Sequence, residues 1–252
     1  MHRYAKALIW LTVILFLSGL LIAFETAETD SKVCKNVLVT IDNQFENYFV
    51  NEEDIMQFIT ANGTEMIVGT AYKKLNLREI EKRLFDEPFL SKSDIYVDHS
   101  GNLIVHVALR KPIARIVRYN GPDAFISEDG QLLPVYDKYS KRTILITGYK
   151  SKELVEQINI STGDYAPLYE LINKINSDKF LHAQIAQIKL LKNNEIILYP
   201  QVTKQYIEFG KIKDIDVKFK KLKLFYDEIL PRKGWNSYSK VSLKYKNQII
   251  CE

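Results

Sequence analysis

The chain is poor in the residues that usually announce chemistry. Two cysteines in 252 residues are too few for a disulfide-stapled secreted scaffold, and ten glycines with seven prolines exclude a collagenous or linker-like chain. There is no C-x-x-C pair, no H-E-x-x-H, no G-x-S-x-G elbow and no phosphate loop of the P-loop or dinucleotide type. Of the four histidines, His2 lies in the basic head, His182 stands alone, and His99 and His106 flank one hairpin without a third ligand. Cys34 and Cys251 sit far apart with no metal-ligand spacing, which leaves two lone thiols or a bridge between them as readings. No catalytic residue, metal or cofactor is expected. The formal charge of +4 comes from 35 basic and 31 acidic residues, too even a balance to indicate nucleic acid.

What is present begins with an apolar stretch. Residues 7–24 read ALIWLTVILFLSGLLIAF, without a charge, and twelve of these eighteen are Leu, Ile, Val or Phe. At about 1.5 Å per residue a helix of this length spans roughly 27 Å, close to a bilayer's hydrocarbon thickness. Arg3 and Lys6 precede it, and Glu25, Glu28 and Asp30 follow. The positive-inside bias then puts residues 1–6 in the cytoplasm and everything after Phe24 outside. A cleaved signal peptide is the rival reading, disfavoured because Phe24 and Glu25 poorly fit a small-residue cleavage site.

The rest reads as two modest domains. Val37–Ile41 is a β-branched strand, and Asn51 opens a helix with Asp54 at the capping-box position. Asn76 opens a second, with Glu79 three residues on and Leu77, Ile80 and Leu84 at helical spacing, until Pro88. A hairpin follows, in which Leu103, Val105, Val107 and Leu109 alternate with Ile104, His106, Ala108 and Arg110. The order strand, helix, helix, strand, strand predicts a three-stranded sheet covered on one face by two helices, since neither layer hides its apolar side alone.

After Pro112 the chain is strand-rich. Strands are expected at 114–119, 124–127, 143–147, 183–191, 195–199 and 206–209, with a helix near 166–176 that carries Leu168, Leu171, Ile172 and Ile175 on one stripe. From Ile212 another helix places Ile215, Phe219, Leu222, Tyr226 and Ile229 inward. Its lysines Lys218, Lys220, Lys221 and Lys223 read as a solvated outward face. Asp214 and Asp216 lie at its start, where the helix dipole favours negative charge. Val241, Leu243 and Tyr245 then alternate with Ser242, Lys244 and Lys246 in a late strand. At a sheet edge such a strand offers unpaired backbone groups to an incoming segment, with Tyr245 as an aromatic anchor and Lys244 as a charge partner. Alternation alone favours the reading that Tyr245 packs in the core.

These features together resemble the bacterial cell-division family FtsQ, called DivIB in other bacteria. The likeness rests on the basic tail and apolar helix, on Tyr48–Ile55 (YFVNEEDI) and Leu75–Glu81 (LNLREIE), and on LIVHVALRKP over Leu103–Pro112. Ser127-Glu128-Asp129-Gly130, Leu133-Pro134, Phe209-Gly210 and Val241–Tyr245 continue it. The resemblance implies an α+β chain: a cytoplasmic tail at 1–6, a single transmembrane helix at 7–24, a linker at 25–34, a β-α-α-β-β POTRA domain at 35–111, and a mixed α/β "β domain" at 112–252 whose C-terminal strand lies at the sheet edge. It further implies a non-enzymatic scaffold of the divisome, single-pass in the cytoplasmic membrane at the septum, binding FtsB/FtsL-like coiled-coil partners. Tyr245, Lys244 and Asn247 are the partner-binding candidates that follow. The family often has Asp and Arg where Ser242 and Lys244 stand, and Lys replaces a bidentate fork by a point charge. A chaperone-like POTRA protein of export or envelope assembly is the alternative, since it uses the same edge-pairing physics.

Overall fold

The structure is a computed structural model describing residues 14–18, 32–42, 49–135 and 142–252. Residues 14–18 are helical; the rest of the expected membrane segment at 7–24 lies outside the described residues. Among the described residues, no helix is long and apolar enough to cross a membrane. Two compact units are present, one built from 32–42 with Val50–Leu109 and the other from Arg110–Glu252 together with Phe49.

The first unit contains β1 (Asn36–Asp42), α1 (Glu52–Ile59), α2 (Leu77–Asp86), β2 (Leu90–Val97) and β3 (Asn102–Leu109). Its sheet order is β1-β3-β2, with β3 parallel to β1 and antiparallel to β2. A parallel pair needs a crossover, and the two helices supply it. The capping box is complete: Asp54 N–H donates to Asn51 Oδ1 at 2.8 Å, and Asn51 N–H to Asp54 Oδ2 at 3.0 Å. Asn76 likewise accepts from Glu79 N–H at 3.3 Å. Along β3 the side chains at 103, 105, 107 and 109 are buried and the alternate ones are not, and Ile55, Ile59, Ile80 and Leu84 of the two helices are buried as well. The expected β-α-α-β-β order is the order observed.

The second unit is a nine-stranded mixed sheet. Its strands are β4 (Pro112–Ile116), β5 (Ala124–Ser127), β6 (Leu132–Pro134), β7 (Ile144–Gly148), β8 (Ile185–Leu190), β9 (Glu195–Pro200), β10 (Tyr206–Lys211), β11 (Lys240–Ser242) and β12 (Ile250–Cys251). They are ordered β12-β11-β10-β9-β8-β7-β4-β5-β6. Helices α3 (Ser151–Val155), α4 (Ala166–Ser177), α5 (Lys179–Gln184), α6 (Ile215–Leu224) and α7 (Leu230–Lys233) connect them. From α4, Leu168, Leu171, Ile172 and Ile175 all enter the core, each contributing roughly 1.5–3 kcal/mol of burial. Phe219 and Leu222 of α6, with Phe225, Tyr226 and Leu230 beyond it, close the same core under Ile207, Phe209, Val241 and Leu243. Between α6 and α7 the chain makes a π-turn over Phe225–Ile229, where Leu230 N–H bonds the Phe225 carbonyl. Pro231 follows directly; it has no N–H to give and its ring crowds the carbonyl four residues back, so the wider turn relieves the conflict.

Three expectations need correction. The chain from Ala183 is not all strand, because Asp178 accepts from Phe180 and Leu181 N–H and opens α5, which delays β8 to Ile185. The strand expected over 241–245 stops at Ser242, and it is not the edge: β12 pairs antiparallel with it on one side and β10 parallel on the other. Lys218 does not face solvent. It is 5 % exposed, its Nζ donates to the Lys211 carbonyl at 2.7 Å and lies 4.6 Å from the centre of the Phe209 ring. A long apolar stem and a carbonyl within reach let the ammonium settle where a helical-wheel count places it outside.

Candidate partner-binding edge

The nine-stranded sheet has two ends, and they are built differently. At the β6 end the strand is three residues long and terminates in Pro134, which has no N–H to offer. Its Leu132 N–H is already bonded to the Ile158 carbonyl at 3.1 Å, and Gln131 is bridged to Asn159. That edge is blunted.

The β12 end is open. Val241 faces Cys251 and Ser242 faces Ile250, while Lys240 N–H and Glu252 N–H exchange bonds with each other's carbonyls at 3.1 and 3.0 Å. In an antiparallel pair the bonded positions alternate, so Glu252 turns its backbone toward β11 and Cys251 turns its N–H and C=O outward. Among the described residues no strand pairs with that outer side. Lys240 Nζ and Glu252 Oε1, 2.8 Å apart, tie the side chains of the closing pair, and the bond from Glu252 raises the Lys240 ammonium above the ordinary lysine value. Strand and C-terminal residue are thus held together while the far side stays free.

Between β11 and β12 the chain makes a compact loop that carries all three candidate residues. Leu243 is buried and its N–H extends the pairing with β10, donating to the Glu208 carbonyl at 2.9 Å. Lys244 then passes over Gly210 and its Nζ meets Glu195 Oε2 at 2.9 Å. That bond raises the lysine above its ordinary value and lowers the Glu195 carboxyl below its own. Tyr245 is 49 % exposed, which overturns the reading that it packs in the core. Asn247 adopts φ 62, the left-handed conformation that Asn tolerates in a tight turn, and is exposed. Tyr245, Asn247 and Lys244 are thus all exposed on one loop, but the Lys244 ammonium is already paired with Glu195.

Sequence reasoning missed Lys221. Its Nζ reaches under the loop and donates to the carbonyls of Leu243 at 2.8 Å, Tyr245 at 2.6 Å and Gln248 at 3.4 Å. Burial lowers its pKa from the ordinary lysine value. The Lys-rich pattern on α6 gave no sign that two of its lysines turn to backbone carbonyls. Lys223 pairs instead with Asp227 at 3.0 Å, so the face is less available to an outside anion than the count suggests.

His106 Nε2 lies 3.1 Å from Asp42 Oδ1, and His182 Nδ1 lies 3.2 Å from Asn176 Oδ1. Cys34 is buried and donates to the Asn36 carbonyl at 3.3 Å; both it and Cys251 are free thiols. Among the described residues no group of three or more His, Cys, Asp or Glu is arranged to hold a metal ion.

The family described as FtsQ/DivIB, C-terminal related, matches residues 111–252, which contain the whole open edge and its loop. The chain belongs to the FtsQ/DivIB family. A POTRA-like domain matches residues 32–108. No individual curated protein matches the chain. As an FtsQ/DivIB-related protein it has a role in cell division, in a family not known for enzymes.

Proposed function

We propose that this FtsQ/DivIB-related protein is a non-enzymatic scaffold of the bacterial divisome, receiving a bitopic, FtsB/FtsL-like coiled-coil partner at the β12 edge. The observation that carries the proposal is the asymmetry of the sheet. One end is blocked by Pro134 and the Ile158 bond, and the other exposes the Cys251 backbone beside a loop that displays Tyr245. Strand addition supplies affinity through main-chain bonds, and an exposed aromatic supplies the anchor that decides strength. In this reading residues 7–24 cross the cytoplasmic membrane, the tail stays in the cytoplasm, and both folded units work on the outer side at the septum. The same edge physics would serve an export chaperone, but the match over 111–252 favours division.

The test is a photo-crosslinker at position 245 in dividing cells, with the captured protein identified. A small bitopic coiled-coil protein is the expected capture, and Tyr245→Ala should reduce co-purification of that protein at least tenfold, the size of a hot-spot truncation of about 1.4 kcal/mol or more. Undiminished co-purification removes Tyr245 from the site. A fluorescent fusion spread evenly over the envelope throughout constriction removes the septal role.

A further inference from the structure

We infer that Lys221 is the positioning residue of the partner-binding loop, its ammonium gathering the carbonyls of Leu243, Tyr245 and Gln248 so that the Tyr245 side chain is held outward. The inference rests on the strand-addition reading above and deepens it by naming what organises the site in the free protein.

The loop's own backbone explains its shape only in part. A turn runs through Lys246 and Asn247, and the Leu243 N–H is spent on Glu208, but among the described residues no backbone N–H donates to the carbonyls of Leu243 or Gln248. Three carbonyl dipoles drawn together repel one another, and the part-buried Leu243 oxygen left unpaired is costly. One ammonium carries three N–H donors and no acceptor, which matches three oxygens. The lysine is itself rooted: its neighbour Leu222 is fully buried, and Phe219 one half-turn back is buried as well. The buried face of α6 therefore anchors one end of the contact, and the loop closes on the other. The partial desolvation that lowers its pKa accords with an ammonium turned toward these oxygens.

Tyr245 shows why this bears on binding. Its carbonyl is held at 2.6 Å while its side chain is about half exposed, so the backbone is fixed and the ring is displayed. An anchor on a loop that wanders pays an ordering cost at each binding event. If the competent loop conformation falls to about a tenth of the population, apparent affinity falls about tenfold with no contact to the partner changed.

The experiment uses the full-length protein in detergent micelles and, as immobilised probe, the FtsB-like bitopic protein of the same cell. Lys221→Met keeps the stem and removes the ammonium; Lys221→Arg restores donors. The expected result is roughly tenfold weaker capture for Lys221→Met, recovery to within about threefold for Lys221→Arg, and less than a twofold effect of Lys221→Met when Tyr245→Ala is already present. Amide exchange over residues 243–249 should quicken in Lys221→Met, and the same exchange measured on β8 and β9 reports whether the fold is intact. Wild-type capture by Lys221→Met, with Tyr245→Ala weakened, overturns the positioning role and leaves the binding site standing. Full additivity of the two substitutions overturns it too, as does a loss that appears only with general exchange of the sheet. Unweakened capture by Tyr245→Ala brings down the site itself, and this inference with it.

Discussion

Lys244 lies directly over Gly210, with its Cγ 2.8 Å from the place a Cβ on that glycine would occupy. Gly210 has φ +74 and sits at the irregularity where the β9–β10 register shifts. The bulge bends the strand, the missing side chain lets Lys244 cross it, and the crossing brings the ammonium to Glu195. Gly210→Ala strains the backbone and displaces Lys244 together, so it should lower stability by about 1–3 kcal/mol in denaturant unfolding. In a Lys244→Ala background the clash is gone, and the same substitution should cost measurably less. Equal costs in the two backgrounds would show that only the backbone matters.

The buried Lys218 makes stability depend on alkaline pH. Desolvation is the main cause that lowers its pKa, with Lys221 and Lys213 adding repulsion and Asp214 opposing. The unfolded chain holds its lysine proton up to about pH 10.4, so between the lowered folded value and that point the unfolded state binds more protons. Stability must therefore rise with pH in this window, as the penalty for keeping a buried charge is relieved. Lys218→Met should abolish that contribution. The measurement is the difference between wild-type and variant unfolding free energies from neutral pH to the lysine range. A difference that stays flat rejects the assignment.

The capping box at Asn51 predicts a local effect in the first unit. Asn51→Ala removes the acceptor of the Asp54 N–H and should cost about 0.5–2 kcal/mol. Hydrogen exchange at the Asp54 amide should speed up accordingly, while the β3 amides change less. Unaltered exchange at Asp54 would mean the cap contributes nothing to that helix.

The parts legible beforehand were those governed by short-range rules. Alternation along Leu103–Leu109 named the buried face of β3, Asn51 and Asp54 named a helix start, and the stripe Leu168, Leu171, Ile172 and Ile175 named the inward face of α4. Each depends on the period of one element or the chemistry of one turn. Tyr245 was ambiguous for a related reason: after Ser242 the chain leaves the strand, so period-two alternation no longer says which side a residue faces. The short β12 was invisible, since two residues carry no pattern.

By its order of residues alone, the chain determined its class: an apolar N-terminal stretch, a β-α-α-β-β unit and a strand-rich unit after Pro112. Tertiary structure alone decided which sheet end stays open, that Lys218 goes inside, and that Lys221 finds three carbonyls 22 to 27 residues further along. Local periodicity depends on neighbours within a turn or a pleat. An edge, a buried ammonium and a pinned loop depend on which distant backbone groups arrive alongside, and only the folded chain brings them there.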